Sequence, residues 1–173
     1  MSTTRPAHLE TVPPQTRRID GRGEFQAAVR EALRQAAERG DTDLVLCDAD
    51  FADWPLGERE VIASLESWAR PRRRMTVFAA NYDEVVRRHP RWVAWRRTWA
   101  HLVECRAVAE QQAAACPTML LVPTGPLTIR LHDPQRLRGV LSSEPRDATA
   151  ASELLEALHQ HTVESFSPTT LGL

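Results

Sequence analysis

Residues 87–106 read RRHPRWVAWRRTWAHLVECR, and their spacing sets the layered architecture expected of the whole chain. If Pro90 opens a helix, Trp92, Trp95, Trp99 and Leu102 fall at i, i+3, i+7 and i+10 and share one face. Such a face is buried against another layer, and the run that follows it, Val103–Val108, has the composition of a strand, part polar and so nearer an edge. Ala94 and Arg97 point away from the tryptophan stripe. Arg88 and Arg96 lie at its borders, where a guanidinium can stack on an indole and still present its fork to an anion. Two readings of the arginines follow. They are either the solvated rim of a packed helix, or an anion site built from Arg87, Arg88, Arg91, Arg96 and Arg97.

Upstream of this stretch, Leu44–Cys47 and Met75–Ala79 are short, uninterrupted apolar runs, the pattern of strands covered on both faces. The segment between them, opened by Trp54 and Pro55, carries Val61, Ile62, Leu65, Trp68 and Ala69 at helical spacing. A short helix over Tyr82–Arg88 has Asn81 as its N-cap candidate, with Glu84 at capping-box distance. Before the first strand, Phe25, Val29, Ala32, Leu33 and Ala36 mark a helix stopped by Gly40. Alternation of strand and helix up to Val108 points to right-handed crossovers and parallel strands.

Downstream the pattern changes. Thr118–Val122 and Leu127–Leu131 are apolar strands joined by Pro123-Thr-Gly-Pro126, a hairpin loop. Val140 and Leu141 suggest a further short strand, and Asp147 or Thr149 caps a last helix carrying Leu154, Leu155, Leu158 and Val163. The expectation is a single α/β domain over residues 20–165, with a mixed, mostly parallel sheet and helices on both faces. A flexible proline-containing arm, residues 1–19, precedes it, and an irregular tail, residues 166–173, follows.

At 173 residues, 42% of them hydrophobic and 26% charged, the chain has the size and composition of one soluble globular domain. No apolar run reaches the roughly 18 residues of a membrane span, and residues 1–18 lack a signal-peptide core, so the cytoplasm is the expected location. Cys47, Cys105 and Cys116 are odd in number and lack metal-ligand spacing, which reads as free thiols. All 22 basic residues are arginine. Base-composition bias alone yields such usage, yet its consequence is chemical: phosphate-binding loops with their lysine, Schiff-base chemistry and lysine bases are excluded. Net charge is −1, but Arg70–Arg106 holds ten arginines against Asp83, Glu84 and Glu104. A local patch of that sign suits a phosphate-bearing ligand or an acidic protein partner better than non-specific duplex binding, so nucleic acid is not expected.

Asp48 and Asp50 follow the first strand at the carboxyl edge where open α/β sheets bind ligands, with Asn81 past the second strand. The carboxylate pair could hold Mg²⁺ beside a phosphate, or Asp48, Asp50 and Asp53 could cap the turns there. His159 and His161, at i and i+2, diverge on a helix and make a poor metal pair. His89 precedes Pro90 as a helix cap, and His101 and His132 have no nucleophile near them in sequence. No catalytic residue and no cofactor is expected.

The runs Leu44-Val-Leu-Cys-Asp-Ala-Asp-Phe, Arg74-Met-Thr-Val-Phe, Arg87-Arg-His-Pro-Arg, Val103-Glu-Cys-Arg and the hairpin at 118–131 together resemble the phospholipase-D-like domains of uncharacterised bacterial proteins. The resemblance spans about residues 40–165. It implies a half-domain of mixed sheet and flanking helices whose catalytic His-x-Lys motif lies on the strand opening the late hairpin. This chain has Cys116-Pro-Thr-Met-Leu there, so the family's phosphodiesterase activity does not carry over. The expected function is therefore a non-catalytic module that binds a phosphate-bearing ligand or an acidic partner through the arginines. The alternatives are a Mg²⁺-dependent enzyme using Asp48 and Asp50, and a purely structural dimer subunit. Because active relatives in the resembled superfamily pair two halves, and the apolar hairpin strands would make an open edge, a homodimer with residues 117–131 in its interface is expected.

Overall fold

Eight strands hydrogen-bond into one sheet in the computed structural model, which describes residues 13–168. In chain order they are β1 (Thr16–Asp20), β2 (Asp43–Asp48), β3 (Arg74–Ala79), β4 (Val103–Val108), β5 (Met119–Val122), β6 (Leu127–Asp133), β7 (Arg138–Ser142) and β8 (Thr162–Glu164). Across the sheet they run β1-β7-β6-β5-β2-β3-β4-β8. The helices are α1 (Arg22–Arg39), α2 (Arg59–Trp68), α3 (Asp83–Arg88), α4 (Pro90–Thr98) and α5 (Pro145–His159), with a 3₁₀ turn at Glu110–Ala115.

Successive side chains of a strand point to opposite faces, and the central strands use both. Leu44 and Leu46 of β2, Met75 and Val77 of β3, and Leu120 and Val122 of β5 face a core shared with α1, α2, α3 and α4. Cys47, Phe78, Met119 and Leu121 face the other side, where Ala148, Ala151 and Leu155 of α5 cover them. Helices thus flank both faces, but among the described residues the second has a single helix over it. α1 buries the expected stripe and ends at Gly40, whose φ of 75° lets its N–H reach the Ala36 carbonyl at 3.1 Å. In β7, Gly139 lies between Ile19 and Leu131, and a Cβ there would run into the Arg130 carbonyl.

The sheet is mixed, but it is not mostly parallel. Only β2–β3 and β3–β4 are parallel, and the other five pairings are antiparallel. Connection length accounts for two of the five: the links β5–β6 and β6–β7 are short turns, which can join only antiparallel neighbours. Residues 16–19, expected within a structureless arm, belong to β1, whose sequence TRRID has one buried residue, Ile19; residues 1–12 lie outside the described part. The hairpin expected to form an open edge is interior, since β5 pairs with β2 and β6 with β7. An open hairpin edge is therefore no reason for self-association through 117–131.

Smaller corrections share a theme of competing local hydrogen bonds. α2 begins at Arg59 rather than at Trp54-Pro55, because residues 49–58 are held in turns by side chains described below. Tyr82, not Asn81, is the N-cap of α3, and the Glu84 carboxylate turns to Arg87 and Arg88 instead of back to the helix start. Val163 is not part of α5 but an exposed residue of β8. Trp99 sits one residue past the end of α4, partly buried, with its indole N–H donating to Glu66 Oε2 at 3.2 Å.

Candidate functional site

The carboxyl end of β2, the start of β5 and the β6–β7 turn meet at one edge of the sheet, around a cleft of about 400 Å³ lined by Phe25, Asp48, Asp50, Trp54, Cys116, Thr118 and Gln135 among others. Asp48 closes β2 and is nearly buried, at 9% exposure. Its carboxylate accepts from the Phe51 amide at 2.8 Å, the Asp50 amide at 3.3 Å and the Thr118 hydroxyl. Burial pushes its pKa up, and the hydrogen bonds from Thr118 and Phe51 work against that shift. The cap holds Phe51 at φ 61°, a left-handed conformation that non-glycine residues seldom adopt. Asp50 accepts from the Ala52 amide at 2.9 Å, and Asp53 pairs with Arg22.

All three carboxylates are thus engaged as turn caps or ion-pair partners. Among the described residues no group of three or more His, Cys, Asp or Glu side chains is disposed to hold a metal ion. Asn81 accepts from the Asp83 amide at 3.3 Å, and its own amide bonds the Ala49 carbonyl at 3.2 Å. His89 is buried, its Nε2 at 2.8 Å from the Phe51 carbonyl oxygen, and burial lowers its pKa. It therefore fastens the 49–58 turn from the α3–α4 side. His159 stands edge-on to Phe78 at 5.9 Å and does not line the cleft.

At the position implied for a catalytic pair, Thr118 is spent on Asp48, and Cys116 Sγ lies 3.6 Å from Cys47 Sγ. The third thiol, Cys105, accepts from Arg96 Nε at 2.9 Å in the other core.

The five arginines do not converge on one point. Arg87 and Arg88 are exposed and share Glu84. Arg91 is exposed and donates to the Gly57 carbonyl at 3.0 Å, adding a second tie on the 49–58 turn. Arg97 is exposed on the outer face of α4. Arg96 is interior, at 3% exposure, with its guanidinium 5.0 Å from the Phe166 ring centroid and no carboxylate paired with it among the described residues. Its placement corrects the border position expected on the helix. Spacing carried the signal, because Trp92, Trp95 and Arg96 stand at i, i+3 and i+4. The closeness of Cys47 and Cys116 had no such signal, since it depends on the β2–β5 pairing of distant segments.

No family model matches the chain, and no curated protein sequence does. Solved structures do. TrmBL2, an archaeal chromatin protein whose structure shows a novel mode of DNA binding, superposes with a TM-score of 0.61 at 13% identity. The match covers 91% of this chain and 57% of that one, so the chain spans little more than half of TrmBL2. NucT from Helicobacter pylori, of the phospholipase-D family, superposes with a TM-score of 0.56 at 7% identity, over 88% of this chain and 100% of NucT. At these identities the likeness is one of fold alone. No helix among the described residues is long and apolar enough to cross a membrane.

Proposed function

We propose that the chain is a non-catalytic module with the fold of a phospholipase-D-like half-domain that binds a phosphate-bearing ligand through the outer surface of α3 and α4. The observation that carries this reading is the charge state of that surface: Arg91 and Arg97 are exposed without a carboxylate partner among the described residues, and Glu84 alone offsets Arg87 and Arg88. Guanidinium forks left open in this way favour phosphate or carboxylate oxygens. Arg96, being interior, supports the helix rather than the ligand. The engaged state of Asp48 and Asp50 weighs against the Mg²⁺-dependent alternative. DNA binding by TrmBL2 supports including nucleic acid among the phosphate-bearing ligands, although the net charge of −1 argued otherwise.

The test is a fluorescence-anisotropy titration with a labelled single-stranded oligonucleotide and, separately, an acidic peptide, each at several salt concentrations. Binding to the oligonucleotide that weakens with salt, and a drop of about tenfold in affinity for Arg91→Glu/Arg97→Glu, is expected. Oligonucleotide affinity of the double variant equal to that of the wild type would refute the reading.

A further inference from the structure

Cys47 and Cys116 come from segments 69 residues apart, yet their sulfurs are in contact at 3.6 Å, and both are free thiols. Their surroundings differ. Cys47 lies in the middle of the sheet at 0% exposure, while Cys116, at 9%, is part of the cleft wall beside Thr118. Cys116 is outside the strand ladder: it caps the 3₁₀ turn Glu110–Ala115, an alanine-rich segment with no buried residue, and its amide bonds only the Ala113 carbonyl at 3.2 Å. A disulfide needs the sulfurs at about 2.05 Å, so Cys116 must advance by about 1.5 Å. That shift bends the loosely packed turn and leaves the β2–β5 ladder, which begins at Met119, intact.

We propose that Cys47 and Cys116 are a peroxide-oxidised thiol pair, Cys116 meeting the oxidant in the cleft and Cys47 resolving it. In the first step the Cys116 thiolate attacks a peroxide oxygen, the O–O bond breaks, and the hydroxide released takes a proton to leave as water. Cys116 is then a sulfenic acid. In the second step Cys47 sulfur attacks Cys116 sulfur, the S–O bond breaks, and the departing hydroxide takes the Cys47 proton as a second water. Two thiols have lost two electrons and hydrogen peroxide has gained them. The contact with Cys116, together with burial, pushes the Cys47 thiol up, which keeps it protonated until the sulfenic acid forms beside it. Cys105 has no part in this, since its sulfur is held by Arg96 in the opposite core. The bond formed would fasten the cleft wall to β2 next to the Asp48–Thr118 contact, so the cleft would exist in two shapes set by oxidant.

The experiment exposes the folded full-length chain to hydrogen peroxide, removes the excess with catalase, and then unfolds the chain in denaturant that contains the alkylating agent, because all three thiols are buried in the folded state. The free thiols are expected to fall from three to one and to return to three with dithiothreitol, with the tryptic peptides 40–59 and 107–130 joined. Cys105→Ser should form the same link. Cys47→Ser should instead accumulate a dimedone-reactive sulfenic acid at Cys116. Retention of all three thiols, a link through Cys105, or a link between two copies overturns the proposal.

Discussion

Removing the Asp48 carboxylate tests whether the cleft edge is held by turn capping or is arranged for chemistry. In Asp48→Ala the Phe51 amide and the Thr118 hydroxyl, both bonded to Asp48 in buried surroundings, lose their acceptor, and so does the more distant Asp50 amide. An unsatisfied buried donor costs about 1–3 kcal/mol, so two give about 2–6 kcal/mol. Releasing a desolvated carboxylate returns part of that, which leaves an expected net loss of about 2–4 kcal/mol. Asp48→Asn keeps an acceptor for the Phe51 amide, and its amide group can donate to Thr118 once the hydroxyl rotates, so a change within about 1 kcal/mol is expected. The pH dependence separates charge from shape. The Asp48 pKa is raised in the folded protein, so the carboxyl contributes stability that is present below about pH 4 and is lost as pH rises through the folded value. Asp48→Asn should lack that decline and gain on the wild type as pH rises from about 4 through the folded value. Urea unfolding followed by tryptophan fluorescence measures all three proteins. A loss below about 0.5 kcal/mol for Asp48→Ala refutes the capping argument. So does stabilisation of the wild type, but not of Asp48→Asn, by millimolar Mg²⁺, which would make the group a metal ligand.

His89 is lowered by burial, so the folded protein binds its proton less readily than the unfolded chain; its contribution is complete above about pH 6.5 and is lost as pH falls. Relative to His89→Gln, which can still donate to the Phe51 carbonyl, the wild type should lose urea midpoint between pH 7.5 and 5.5; an unchanged difference between the two would contradict it. Trp92→Ala should cost about 3–5 kcal/mol from a fully buried indole, and Trp99→Ala clearly less, because Trp99 is only partly buried; equal losses in urea would refute the difference. Arg96→Met exchanges a buried charge without a carboxylate partner for an apolar side chain of similar length. Stability should stay within about 1 kcal/mol of the wild type or rise, with oligonucleotide affinity unchanged; a tenfold loss of affinity in a stable variant would place Arg96 in the ligand site.

Much of the layer architecture was legible because its signals are local. Leu44–Cys47, Met75–Ala79 and Val103–Val108 fall within β2, β3 and β4 as uninterrupted or edge-like runs, and the Pro-Thr-Gly-Pro turn marks the β5–β6 hairpin. β1 was not legible, since a strand at the sheet edge with one buried residue has no alternation strong enough to separate it from coil. The antiparallel majority was hidden because pairing β1 with β7 and β2 with β5 depends on the whole sheet rather than on either strand. In the site, five arginines look alike in sequence, while in the fold one is interior, two share a glutamate and one binds a carbonyl. Burial and partner choice made those differences, and neither is written in residue type.

The first and last strands have a consequence for how the chain can be joined to anything else. β1 and β8 form the two opposite margins of the sheet, seven spacings apart, which at about 4.8 Å each is roughly 34 Å. Polypeptide entering at residue 16 and leaving after residue 164 therefore departs from opposite flanks. A connection from residue 164 back to residue 16 must cross that width, which takes at least about 10 extended residues.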